Sequence, residues 1–228
     1  MLPVLFQIKD SIAIITFNRP EKRNCINREM ALLFQQKLDE CQSDKSIRCV
    51  YITGAGKSFC SGQDLAEVTG VDSHAVNKIL KEQYNPIVTR MRSLEKPIVG
   101  AINGVAAGAG CNIALACDVV VATQSAYFVQ TFSKIGLIPD TGGTYTLPRL
   151  IGWQKACALM MLADKISAAD AEKMGMIYKV FPDESFAMEA LKIASTLAMM
   201  PTRGLALTKQ ILNQSFANTW EEQLKKED

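Results

Sequence analysis

The feature that most limits what this chain can fold into is the run from Ile98 to Asp118, IVGAINGVAAGAGCNIALACD. Ile98 to Ile102 reads as a buried strand, a loop of Gly and Ala follows, and Ala109 to Cys117 reads as a helix of small residues. A glycine-rich turn from strand to helix leaves the first N–H groups of the helix unpaired and directed at whatever approaches them. A second stretch, YITGAGKSFCSGQDL from Tyr51 to Leu65, repeats the device with Gly54, Gly56 and Gly62 and a helix or turn start at Asp64. Two such donor ends meeting at one point would form an oxyanion hole, two backbone N–H groups aimed at a single oxygen. The same glycines would equally let a helix pack tightly on a strand, and the residues alone leave both readings open.

Around this centre strands and helices alternate. Val4 to Ile8 and Ala13 to Phe17 are β-rich runs separated by Lys9-Asp10-Ser11, which predicts a hairpin. From Asn27, an N-capping residue type, apolar side chains recur at Met30, Leu33, Phe34, Leu38 and Cys41, one face of a helix. Cys49 to Thr53 predicts a strand, Val68 to Ser73 a loop, Val76 to Leu94 a helix kinked at Pro86, and Val119 to Thr123 a further strand. After Thr141 the pattern turns helical, over Trp153 to Leu162, Ala168 to Met174 behind the capping-type Ser167, Ser185 to Met199, and Pro201 to Phe216. That order argues for an α/β core with crossover units and a helical tail.

Charge and cysteine content narrow the partners. The 25 basic and 23 acidic residues are spread along the chain and leave a net charge of +2, so no polybasic arm points to nucleic acid or a membrane surface, and the expected partner is a small molecule. With 228 residues, 48% of them hydrophobic, the chain can bury a substantial core. The seven cysteines are odd in number and lack C-x-x-C spacing, which reads as reduced thiols in the cytoplasm. The N-terminal MLPVLFQIKD has no basic leader, and no apolar run approaches a membrane span, so a soluble, unexported protein is expected. With His74 the only histidine, neither a Ser-His-Asp set nor a zinc site suggests itself, and no metal is expected.

INGVAAGAGCNIALACD and FCSGQDL, with FNRPEKRN before them and IGLIPDTGGTYTLPRLIG after, resemble the ordered signatures of the crotonase superfamily, the enoyl-CoA hydratase/isomerase family, over nearly everything from Phe6 to about Asn213. The resemblance implies a spiral of ββα units, with residues 1–184 as the acyl-CoA-binding core and 185–228 as a C-terminal helical region that assembles homotrimers or dimers of trimers. It implies an acyl-CoA thioester substrate, CoA being part of that substrate and no separate cofactor being needed. By the same resemblance the N–H groups of Gln63 and Ala109 are the oxyanion donors, Ser61, Gln63, Asp64, Leu65 and Ala66 run along the CoA moiety, and Lys22 and Arg23 meet its phosphates, where solvated surface lysine and arginine are the plain alternative.

The acid–base groups depart from the hydratase pattern. The two glutamates that hydratases of the family use fall on Asn112 and Phe132, neither of which transfers a proton at neutral pH, leaving Phe132 as a substrate contact. Asp140, in IGLIPDTGG, falls where isomerases and some dehalogenases of the family carry their carboxylate. One carboxylate suffices for an allylic shift, since the base that removes a proton from one carbon can return it to another. The alternative for Asp140 is a helix N-cap, although Gly142 and Gly143 make a poor first turn. His74, a base in family dehalogenases, reads as solvent-facing, Asp118 as structural, and Cys60 and Cys111 as small packing residues. GVAAGAG, FSKIGLIPDTGGTYTLPRL and YNPIV are most similar to the branch that rearranges a strained ring in phenylacetate degradation. The leading reading is therefore an acyl-CoA isomerase that shifts a double bond or rearranges an epoxide/oxepin ring. A hydratase with atypical acid–base groups, and a non-catalytic acyl-CoA binder or assembly subunit, are the alternatives. Because the family usually continues beyond WEEQLKKED, residues from about Phe216 onward are expected to be poorly anchored and the pocket more open to water, with Trp220 the residue that reports it.

Overall fold

The hairpin at the start of the chain sets the first sheet. β1 (Val4–Lys9) and β2 (Ile12–Phe17) pair antiparallel with Lys9 opposite Ile12, and Asp10 and Ser11 take φ values of 51° and 62°, the left-handed pair that a two-residue turn requires. The computed structural model describes the backbone of residues 2–68 and 73–228, and their side chains except those of residues 73–75.

From β2 onward the chain winds as a spiral that gives one strand to each of two sheets per turn. β3 (Cys49–Gly54) joins the first sheet and β4 (Ser58–Cys60) the second; β5 (Ile98–Ile102) and β6 (Val105–Ala107) repeat the step, as do β7 (Val119–Thr123) and β8 (Tyr127–Val129). β9 (Ile166–Ser167) and β10 (Lys179–Phe181) close the sheets, whose orders are β1-β2-β3-β5-β7-β10 and β4-β6-β8-β9. Neighbours within β2-β3-β5-β7-β10 and within β4-β6-β8 run parallel. The first sheet was legible as apolar runs. The three-residue strands of the second were not, because such short buried segments show no alternation.

Helices cover both faces of the first sheet. α1 (Arg28–Ser43) starts where Asn27 accepts the Met30 N–H at 3.0 Å, and buries Met30, Phe34, Leu38 and Cys41. Phe34 and Phe59 meet the Phe17 ring edge-on at 5.1 and 5.4 Å. The expected helix over Val76 to Leu94 is broken differently from the prediction: α2 (Ser73–Ile79) passes into a π-helical turn over Leu80–Tyr84, and Pro86 sits in the first turn of α3 (Asn85–Ser93), where its missing N–H costs nothing. The loop expected from Val68 to Ser73 lies largely outside the described residues, and Ser73 already belongs to α2.

Beyond residue 185 the chain is helical. α8 (Phe186–Met199) lays Phe186, Ala190, Ala194 and Ala198 against Tyr51, Val99, Ala101 and Val121 of the sheet, so the small residues at four-residue spacing seat this helix in the core. Only α9 (Thr202–Ser215) and α10 (Trp220–Glu227) follow it. α9 is tied down by Lys209, which donates to the Met91 carbonyl at 2.7 Å and to Asp118 at 2.8 Å, giving Asp118 the structural role its position suggested. α10 has a cap the sequence reading missed, a reciprocal box between Thr219 and Glu222. Its side-chain hydrogen bonds beyond that cap run to Gln214 and Asn218, and Trp220 is 72% exposed. Among the described residues no helix is long and apolar enough to cross a membrane.

Candidate active site

The site is assembled around the loop after β4. Arg19, in the turn after β2, donates to the Asp64 carboxylate at 2.8 Å and to the Cys25 carbonyl at 2.6 Å. The Ile26 N–H donates to the Gly62 carbonyl at 2.7 Å, and the Asp64 N–H to the Ile26 carbonyl at 2.8 Å. Asp64 is buried, and the hydrogen bond from Arg19 holds its carboxyl below the usual range despite desolvation. Its side chain accepts from Arg19 and from the Ala66 N–H, so it shapes from within the loop expected along the CoA moiety. Lys22 and Arg23 are exposed beside that loop, where the Ser61 N–H donates to the Arg23 carbonyl at 3.1 Å, and Leu65 and Ala66 are exposed on it.

The glycine-rich turns let their elements pack closely, one of the two purposes that the sequence left open. Gly110, in the first turn of α4 (Ala109–Leu115), lies so close to β4 that a methyl group on it would stand 2.3 Å from the Cys60 carbonyl oxygen. Gly62, at φ +89°, would place a methyl 2.9 Å from the Ala107 carbonyl oxygen and 3.4 Å from the Ala109 nitrogen. The loop before Gln63 and the start of α4 are therefore in contact. Among the described residues no protein acceptor takes the N–H of Gln63 or of Ala109. Cys60 and Cys111 pack this junction, and burial pushes each thiol up to about 12, far from a nucleophilic state.

Asp140 stands at the other side of α4. The segment that carries it runs from the 3-10 turn Phe132–Ile135 to α5 (Gly143–Ile151). The N-cap of α5 is Gly142, with no side-chain cap, so Asp140 is not a helix cap. Its half-buried carboxylate accepts from the Thr141 hydroxyl at 2.6 Å, and desolvation outweighs that bond and raises its pKa above 3.8. The Asp140 carbonyl accepts from the Gly143 N–H at 2.9 Å and from the Asn112 side chain at 2.8 Å, Asn112 lying one helical turn beyond Ala109. Phe132 is buried, with its Cζ 3.9 Å from where a methyl on Gly108 would sit.

Tyr84 links the two halves. Its hydroxyl, in the π-helical turn, donates to the Gln63 side-chain oxygen at 2.8 Å. The phenol pKa is raised chiefly by burial, with the charges of Cys60 and Asp140 adding to it. Gln63, Ala109, Phe132 and Asp140 are thus brought to one region by Tyr84, Asn112 and Gly108. Neither Arg19 nor Tyr84 was singled out from sequence, although FNRPEKRN and YNPIV contain them, because their partners lie 45 and 21 residues away. The side chain of His74 lies outside the described residues. No three-residue cluster of metal-ligand types occurs among the described residues. A groove of about 810 Å³ between α3 and α9, lined by Arg92, Tyr145, Lys209 and Asn213 among others, contains none of the site residues.

Residues 7–228 match the family model described as Enoyl-CoA hydratase/isomerase. The chain belongs to that family. This member of the enoyl-CoA hydratase/isomerase family is 43% identical over 225 residues to the 1,2-epoxyphenylacetyl-CoA isomerase of Escherichia coli (strain K12), covering 97% of this chain and 86% of that protein. It is 33% identical over 215 residues to the 2,3-dehydroadipyl-CoA hydratase of the same organism, covering 94% of this chain and 83% of the relative. The crystal structure of the enoyl-CoA hydratase from Bacillus anthracis superposes with a TM-score of 0.94 at 29% identity, covering 99% of this chain and 88% of that one. The two-sheet spiral is thus the crotonase fold, and the chain is an enzyme of the hydratase/isomerase family.

Proposed function

We propose that this enzyme is an acyl-CoA isomerase that moves a double bond, or rearranges a strained epoxide or oxepin ring, beside a CoA thioester. One observation carries the reading: among the described residues the site region offers Asp140 as a half-buried carboxylate, Asp64 being paired with Arg19, while the positions that hydratases fill with glutamate hold an amide bonded to the Asp140 carbonyl and a buried phenyl ring. A relative named as an isomerase, at 43% identity, supports the same reading.

In this reading the thioester oxygen lies against the N–H groups of Gln63 and Ala109. Deprotonation at the α-carbon moves charge onto that oxygen, and each donor contributes about 2.7 to 4 kcal/mol to the transition state. For a 3-enoyl thioester Asp140 takes the α-proton, the dienolate spreads from the oxygen to C4, and the same carboxyl returns the proton at C4. The double bond moves into conjugation and no atom is gained or lost. Burial helps, because a raised pKa lets Asp140 hold the proton between the two transfers. The Phe132 ring, where a second acid–base group would activate water, withholds hydration.

A panel of acyl-CoA thioesters tests this, with a 3-enoyl-CoA scored for isomerisation and a 2-enoyl-CoA for hydration. Asp140→Asn should lower isomerisation by about 10²- to 10⁴-fold while thioester binding changes little. The rate should fall as pH drops through the raised Asp140 pKa, an acidic limb lying above the ordinary carboxylate value of 3.8, because only the ionised form accepts the proton. Phe132→Glu should add hydration to the wild-type background. A wild-type enzyme that hydrates without isomerising, or an Asp140→Asn variant of near wild-type rate, would overturn the assignment.

A further inference from the structure

We infer that Asn112 and Gln130 form a buried amide clamp that positions the Asp140 turn, and that a hydratase-type glutamate at position 112 and a working Asp140 exclude each other. The inference rests on the reading of Asp140 as the proton carrier.

Both side chains are almost sealed from solvent, Asn112 at 2% exposure and Gln130 at 1%. Their orientations are forced in sequence. The Asp140 carbonyl can only accept, so the Asn112 group 2.8 Å from it is the NH₂. That leaves Asn112 Oδ1 facing Gln130, whose NH₂ donates to it at 2.8 Å. The consequence is an unpartnered acceptor: Gln130 Oε1 has no hydrogen-bond partner among the described residues. A buried orphan oxygen is a standing cost that most proteins avoid. Here it is the by-product of directing the donor chain Gln130 to Asn112 to Asp140.

The turn so held needs holding. Thr141, a β-branched residue, sits at φ +55° and Gly142 at φ +75°, and Thr141 is 3% exposed. Gly143 packs directly on the clamp, since a methyl there would lie 2.3 Å from Asn112 Nδ2. Released from Asn112, the turn can relax away from this backbone conformation and carry the Asp140 carboxylate out of its half-buried position. A glutamate at 112 offers no donor when ionised, so it would meet the Asp140 carbonyl with an oxygen and push the turn away. The Asp140 charge is among the causes that raise Tyr84, from the π-helical turn, and no charged group enters among the causes of the Asp140 shift.

The experiment compares the intact wild-type chain with Asn112→Leu, Gln130→Met, Asn112→Glu and Asp140→Asn. Rates against pH for a 3-enoyl-CoA are read together with KM and thermal midpoint. Gln130→Met is the informative variant, because it removes the donor and exchanges one buried orphan oxygen, Gln130 Oε1, for another, Asn112 Oδ1, and so leaves the thermal midpoint nearly unchanged. The expected results are a fall in kcat of about 10²-fold for Asn112→Leu, as for an ångström of misplacement, a smaller fall for Gln130→Met, KM within about twofold, and an acidic limb displaced toward the value of an exposed carboxylate. Asn112→Glu should lose isomerisation without gaining hydration. If Asp140→Asn is inactive but Gln130→Met and Asn112→Leu keep the wild-type rate and limb, or lose rate only with the folded fraction, the clamp is refuted alone. If Asn112→Glu hydrates while still isomerising, the exclusion is refuted. If Asp140→Asn keeps its rate, the reading of the base fails and the clamp with it.

Discussion

Gly62→Ala probes the junction of the two donor loops with one methyl group. At φ +89° an L side chain costs about 1 to 2 kcal/mol. The added carbon would lie 2.9 Å from the Ala107 carbonyl oxygen, closer than carbon tolerates, and 3.4 Å from the Ala109 nitrogen. The loop must therefore move back by several tenths of an ångström, taking the Gln63 N–H with it. Complete loss of one oxyanion donor costs about 2.7 to 4 kcal/mol, or 10²- to 10³-fold in kcat, so a partial retreat should cost about 10- to 10³-fold. The assay is exchange of the α-protons of hexanoyl-CoA in ²H₂O, followed by mass spectrometry, since that step needs enolate stabilisation but no double bond. Gly152→Ala is the control: at φ +79° with nothing within 4 Å, it imposes a similar backbone penalty far from the donors and should exchange at the wild-type rate. A folded Gly62→Ala enzyme that exchanges as fast as Gly152→Ala would refute the placement of the oxyanion at this junction.

Two further outcomes follow from contacts described above. Lys209→Met should destabilise the fold by up to about 3 kcal/mol in urea unfolding, because it leaves the partly desolvated Asp118 carboxylate, its side chain 18% exposed, without its cation; desolvation already pushes Asp118 up and Lys209 down, so combining the change with Asp118→Leu should restore much of the loss, and additive losses would count against this. Tyr84→Phe, which frees the Gln63 side chain without opening a large cavity, should lower α-proton exchange several-fold with little change in unfolding midpoint, and an unchanged exchange rate would remove Tyr84 from the site.

What could be read from the chain alone divides by range. The two glycine loops, the Asn27 cap of α1 and the Ser167 cap of α7 (Ala168–Lys173) were legible because the signal lies within a few residues of the structure it makes. α5 was not, since Gly142, Gly143 and Pro148 obscure a helix that tertiary packing nonetheless forms through Leu147 and Ile151. The residues around Asp140 show the same split: IGLIPDTGG drew attention to the carboxylate, whereas Asn112 read only as the absence of a glutamate, and its bond to the Asp140 carbonyl spans 28 residues.

The second sheet also sets where successive turns of the chain arrive. Cys60 is level with Ala106, and Ala106 with Phe128, on three adjacent parallel strands. Three residues on, past the strand ends, come Gln63, Ala109 and Thr131, so successive turns of the spiral deliver these residues from the same end of the sheet. Were a thioester oxygen shared by the first two positions, as proposed above, the third, with Phe132 beside it, would face the carbons beyond the α-position. The frame thus works like a comb whose teeth are fixed while their tips are exchangeable: a side chain such as Phe132 can be replaced without moving the strands that deliver it.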